Sequence, residues 1–298
     1  MMSGASLAGL LGASLTAAVA VPAAPPAATA LRADELRAYM AAMDGRKADA
    51  LAAVQRAGDA AAASGSAGDS GWDLTPRYAA LVRFGLWDEM LAVLPPDPRR
   101  IGLTAGYLYA RGFALAARGR LPEAQVTLAQ LRALAAQAPP GVAAGANTLE
   151  AVLDVAVPIV AARIAASSYR SGDAIALLRE AAAAEDRLSV DEPADWFFPA
   201  RDLLGAQLLE AGRPSEAESV YREDLRRHPG SGWALLGLAQ ALWAQGRTVS
   251  AAAVRRQFAQ AWRHADVRLV ASAFWFTGPD TTSCECQREP LDEAPAGR

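Results

Sequence analysis

The sequence predicts an all-α fold, a right-handed solenoid of about six helical hairpins. Three observations point there. A glycine is followed five residues later by alanine at Gly45/Ala50, Gly119/Ala124, Gly212/Ala217 and Gly246/Ala251, and arginine follows each of these glycines. Gly212 and Gly246 stand 34 residues apart, as do Gly85 and Gly119, which is the length of one repeating helix–turn–helix unit. The chain is also rich in helix-forming alanine, leucine, arginine and glutamate and poor in alternating β-branched runs, so essentially no sheet is expected. An ordinary helical bundle is the competing architecture, and the two equal spacings weigh against it.

Taken in order, Arg32–Asp44 and Arg46–Ser64 form a first hairpin, followed by the glycine-serine loop Ser64–Gly71. That loop has no Gly-Lys-Ser/Thr and is no phosphate cradle. Leu74–Leu94 is the second hairpin, closed by Pro95-Pro96-Asp97-Pro98, and Thr104–Gln137 the third, closed by Pro139-Pro140-Gly141. The fourth, Asn147–Arg187, is degenerate: it keeps Ala174 and Leu178, but Gly172 falls about three residues late for the turn. The fifth runs Trp196–His228 and the sixth Gly232–Trp262; Val267–Phe276 then caps the end. Domain boundaries follow as a leader over 1–30, a repeat domain over 31–276 and a disordered tail over 277–298, where large apolar groups are few.

The fifth unit shows why the spacing repeats. Leu204, Leu208 and Ala211 make an apolar stripe. Gly205 and Ala217 are small enough for two helices to approach closely. Gly212 takes the left-handed cap, Pro214 suits the first turn of the next helix, Tyr221 fills the space toward the sixth hairpin, and Pro229 stops the second helix. Leu204, Gly205, Ala217, Tyr221 and Pro229 fall in the register of the tetratricopeptide (TPR) signature, and the chain resembles that family. The segments Asp191–Gly205, with Trp196-Phe197-Phe198-Pro199, and Glu223–Ala239 further resemble the C-terminal half of a family of longer bacterial TPR proteins. Those carry histidine-rich N-terminal stretches, whereas this chain has only His228 and His264 and reads as a short or truncated member. The resemblance implies a non-catalytic protein–protein interaction scaffold and no cofactor.

In TPR arrays the first helix of each hairpin lines a concave face. Counting positions along each unit gives Tyr109 and Phe113 from the third hairpin, Arg163 from the fourth, Asp202 and Leu209 from the fifth, and Trp233, Leu236, Gln240 and Trp243 from the sixth. This face is aromatic and weakly charged, without a lysine/arginine clamp. It suits a protein partner presenting a peptide or an apolar helix. Two alternatives stay open: Trp233 and Trp243 pack between hairpins, or Val267–Phe276 folds back and fills the groove. Trp196-Phe197-Phe198 reads as a wedge between repeats.

Other classes are disfavoured. The net charge is −3 with no long basic run, which argues against nucleic acid. No Gly-x-Ser-x-Gly, His-Glu-x-x-His or dinucleotide fingerprint is present, neither histidine has a carboxylate at a telling spacing, and no catalytic residue is assigned. The acidic residues Glu185, Asp186, Asp191, Glu192 and Asp195 read as an inter-hairpin loop that also caps the helix near Trp196; Arg201 is expected to meet Asp202 or Glu210. Cys284 and Cys286 supply two soft ligands where structural zinc normally needs four, so no metal site is assigned; a small-molecule or metal-binding accessory role at the C-terminal aromatic cluster and this cysteine pair is the alternative function. The leader is apolar and ends in small residues around Ala30, as a cleaved signal would, but no lysine or arginine precedes Arg32. It fits a signal peptide or a disordered leader better than a membrane anchor. Both cytoplasmic and exported (periplasmic) locations follow as expectations.

Overall fold

A computed structural model of the chain describes residues 27–64, 70–189 and 194–275. Six antiparallel helical hairpins follow one another: α1 (Ala27–Met43) with α2 (Lys47–Ser64), α3 (Pro76–Arg83) with α4 (Trp87–Ala92), α5 (Ile101–Ala117) with α6 (Leu121–Gln137), α7 (Leu149–Ser167) with α8 (Ser171–Glu185), α9 (Ala200–Glu210) with α10 (Pro214–Arg227), and α11 (Gly232–Ala244) with α12 (Thr248–Ala261). Each helix packs mainly on its chain neighbours, as in an all-α solenoid. One short exception to the expected absence of sheet is the two-residue ladder β1 (Ala143–Ala144) with β2 (Asn147–Thr148), which turns the chain into α7. No described helix is long and apolar enough to cross a membrane. The leader up to 26, most of the 64–71 loop, Asp191-Glu192, Phe276 and the Cys284/Cys286 pair lie outside the described residues.

The six hairpin turns share one hydrogen-bond pattern. The residue in the left-handed conformation donates its N–H to the carbonyl three residues back, and the next residue donates to the carbonyl five back, closing a Schellman cap. Arg46, Arg120, Arg213 and Arg247 make the second bond at 2.8 Å, 2.9 Å, 2.8 Å and 3.0 Å. Three of them also reach an acid three residues on: Arg46 to Asp49, Arg120 to Glu123 and Arg213 to Glu216. Arg247 instead meets Glu218. The degenerate fourth turn keeps this geometry with Tyr169, at φ 58°, in the glycine's place. That is three residues before the late Gly172. The position five residues after each turn is fully buried: Ala50, Met90, Ala124, Ala174, Ala217 and Ala251.

Small residues set the approach of neighbouring hairpins. A Cβ on either Gly205 or Gly237 would strike the Tyr221 ring, so this tyrosine is clasped between α9 and α11. Gly205 therefore makes room for Tyr221 more than for Ala217. In the first hairpin the close contact is all alanine, with Ala38, Ala41, Ala42, Ala50 and Ala53 buried.

The two ends of the array meet. The Trp233 indole N–H donates to the Ala42 carbonyl at 3.1 Å. The Trp262 ring covers Gly45, where any Cβ would collide with it. Asp266 caps α2, accepting from the Lys47 and Ala48 N–H groups at 2.5 Å and 2.8 Å. A buried cluster accordingly joins first-hairpin alanines to Phe84, Phe197, Phe198 and Trp233.

Candidate functional site

The inward face is built from the first helices of the hairpins, and the chain's own C-terminal segment lies along it. After α12 the chain passes Asp266 and runs through Val270, Ser272, Phe274 and Trp275 across these helices. From α11, Gln240 donates its side-chain amide to the Val270 carbonyl at 2.7 Å. From α9, the Asp202 carbonyl accepts from the Ser272 hydroxyl at 2.8 Å, and the Gln207 side-chain oxygen accepts from the Trp275 indole N–H at 2.8 Å. Tyr221 of α10 shares a hydrogen bond with the same Ser272 hydroxyl at 2.7 Å. Phe113 of α5 packs edge-on to Trp275 with ring centroids 5.6 Å apart, and Arg163 of α7 stands 5.2 Å from the Trp275 ring. Phe274 meets Trp233 at 6.0 Å. Ser272 and Trp275 are fully buried.

The segment thus does not cap the end; it folds back and fills the groove, which is the second of the two packings the sequence left open. Tyr109, Phe113, Arg163, Asp202, Trp233 and Leu236 are all buried, and Leu209 and Gln240 are half-buried. Only Trp243, 40% exposed, stands as an accessible anchor among the nine residues expected on the face. Phe113, Arg163, Asp202, Trp233 and Gln240 do converge on the segment. Tyr109 turns toward Trp196, at 5.0 Å between ring centroids, and Trp196-Phe197-Phe198 wedges between hairpins.

Two arginines reach this face, although it reads from sequence as lacking a cationic clamp. Arg83 of α3 donates to Asp202 at 2.8 Å, both side chains being buried, and its guanidinium lies 3.7 Å from the Trp233 ring and 4.7 Å from Phe198. Burial pushes the Asp202 carboxyl up, against the pull of Arg83. Burial likewise pulls Arg83 down, opposed by the same partner. Each keeps one buried atom without a hydrogen bond, Arg83 Nε and Asp202 Oδ1, so the pair is enclosed but not saturated. Among the described residues Arg163 makes no ion pair; it donates to Ser167 Oγ at 3.0 Å, and burial lowers it to about 10. A buried guanidinium is retained here by aromatic faces rather than by a counter-charge.

The acidic loop behaves as a cap. Glu185 accepts from the Ala200 N–H at the start of α9, at 2.8 Å, and burial pushes its carboxyl to about 8. Arg201 pairs with Asp186 through both guanidinium nitrogens, at 2.8 Å and 2.6 Å, rather than with Asp202 or Glu210. One histidine does have a carboxylate, contrary to expectation: His228 Nδ1 lies 3.0 Å from buried Asp224, one helical turn away, and that contact raises the histidine. No group of three or more metal-ligating side chains is assembled among the described residues.

Sequence reasoning missed Arg83, Gln207 and Ser272. Arg83 sits in the last turn of a short helix, where an arginine ordinarily points to water, and a serine in an apolar tail carries no signal at all. Phe274 and Trp275 were visible as an aromatic cluster following the last repeat.

Residues 208–256, from the end of α9 through α10 and α11 into α12, match the family model described as tetratricopeptide repeat. No curated protein and no solved structure matches the chain.

Proposed function

We propose that this chain, a tetratricopeptide-repeat protein, is a non-catalytic protein–protein interaction scaffold whose inward groove receives a peptide. One observation carries the peptide reading: the groove is occupied by a non-helical segment of the same chain, made of bends and a turn. Gln240 grips a main-chain carbonyl, an interaction any peptide offers, while Ser272 and Trp275 fill dedicated sockets. Recognition of this kind combines backbone hydrogen bonds for affinity with side-chain pockets for specificity. A partner bearing a serine three residues before a tryptophan in an apolar context would reproduce these contacts and compete with the resident segment.

The test is a chain ending at Asp266, which keeps the α2 cap, titrated with a labelled peptide spanning Arg268–Trp275. Saturable binding by fluorescence anisotropy, weakened by Ser272→Ala or Trp275→Ala in the peptide, supports the reading. A shortened chain that keeps its helical circular dichroism yet ignores the peptide contradicts it. Loss of the helical signal on shortening would make the segment a permanent part of the core and end the proposal.

A further inference from the structure

A second cavity, separate from the groove, opens between the first hairpin, α3, α5 and the loop before α9. It encloses about 770 Å³ including its open mouth. That is room for a small organic molecule. Six aromatic rings line it: Trp72, Tyr78, Tyr109, Trp196, Phe197 and Phe198. Three carboxylates also line it, Glu35, Asp73 and Asp195, against the single cation Arg32. Glu35 is buried, and Arg32 approaches it at 3.7 Å from a largely solvated position. Asp195 accepts from the Ala146 N–H and the Asn147 amide at 2.8 Å and 2.7 Å, which fixes it in the wall. The Trp196 indole N–H is buried with no acceptor among the described residues.

These features select a ligand. An aromatic lining with excess negative charge favours a cation, because ring faces and carboxylates attract it together. The absence of any assembled metal-ligating group among the described residues disfavours a metal ion. The unsatisfied indole N–H asks for an oxygen acceptor beside the positive charge. We propose that this cavity binds a small organic ammonium compound carrying an oxygen acceptor, with Glu35 as counter-ion and Trp196 as hydrogen-bond donor. The site is independent of the peptide groove.

Burial, reinforced by Asp73 and Asp195 and opposed by Arg32, raises Glu35 to about 7. Facing Glu35 are thus Arg32 from its own helix, Asp73 from the turn before α3 and Asp195 from the loop before α9. Binding is expected to strengthen as pH rises from 6 to 8 and Glu35 ionises.

The experiment is calorimetric titration of the full-length protein with choline, beside its neutral isostere 3,3-dimethyl-1-butanol. Choline is expected to bind at least about tenfold more tightly than the isostere at pH 8 and to lose most of that advantage at pH 6. Glu35→Gln removes the preference at both pH values, and Trp196→Phe weakens choline more than tetramethylammonium, which lacks the hydroxyl. Sedimentation with phosphatidylcholine vesicles separates a lipid headgroup from a free small molecule as the source, and either source upholds the site. No heat with choline up to ~10 mM, or equal binding of the isostere, overturns the proposal on the unaltered protein.

Discussion

The molecule has two inward cavities, and they differ in how their needs are met. In the C-terminal half the groove is filled: Gln207, Gln240, Tyr221 and the Asp202 carbonyl all find partners on the chain's own segment. The cavity beside Glu35 and Trp196 is open, with an indole N–H that has no acceptor among the described residues. A polar group that is satisfied from within contributes to folding, whereas one left unsatisfied lowers stability until something binds. The first region is therefore a face whose polar groups are already matched by the chain's own segment, and the second is a cavity whose polar groups are not yet matched.

Mutations can break or sharpen this contrast. The largest effect is expected on the filled side from Asp202→Ala, which strands buried Arg83 without its partner; a loss of about 3–5 kcal/mol in denaturant unfolding is expected. Trp233→Ala should cost a comparable ~3–5 kcal/mol, since the ring is fully buried and bonds Ala42 across the closure. A loss below about 1 kcal/mol in either variant would mean that the groove is loosely held.

On the open side the sign reverses. Glu35 has its folded value raised to about 7 from 4.5, so the native state holds its proton more tightly than the unfolded chain does. Its contribution to stability is fully present below pH 4.5 and is lost as pH rises through 7. Glu35→Gln should therefore stabilise the protein at pH 8 relative to pH 5, by on the order of 1–2 kcal/mol after allowance for solvent screening. Thermal melts of both proteins at the two pH values would show it; parallel pH profiles would count against an enclosed carboxylate.

The smallest effect lies outside both cavities and sets the baseline. Tyr169 is 95% exposed and occupies a left-handed turn. Tyr169→Gly should stabilise by about 1 kcal/mol, a gain readable as a raised denaturation midpoint. Any change in peptide or choline binding in this variant would indicate that the two sites communicate through the fourth hairpin.

The hairpins were legible because the signal is local and repeated. A glycine at positive φ, an arginine completing the cap and an alanine five positions on leave the same trace in four of the six units. The irregular fourth unit could still be read from Ala174 and Leu178, although its turn falls at Tyr169, three residues before Gly172. The sites were less legible because they are made by distant segments. Phe113, Asp202 and Gln240 are met by residues of Val270–Trp275, and no periodicity encodes that return. Glu35, Trp72 and Tyr78 come together only once the hairpins are stacked. The acidic loop was readable as a cap, but not that Glu185, at the end of the preceding helix, supplies it.

The meeting of the two ends has a consequence for inheritance. An open array of repeats can lengthen by duplicating one unit, because each unit asks only for a neighbour. Here the first turn and the last helix need each other: Trp262 against Gly45, Asp266 on α2, Trp233 on Ala42. A seventh hairpin inserted anywhere would carry these partners out of register and open the seam. The closure thus ties the spacing between Gly45 and Trp262 to the fit of a single seam.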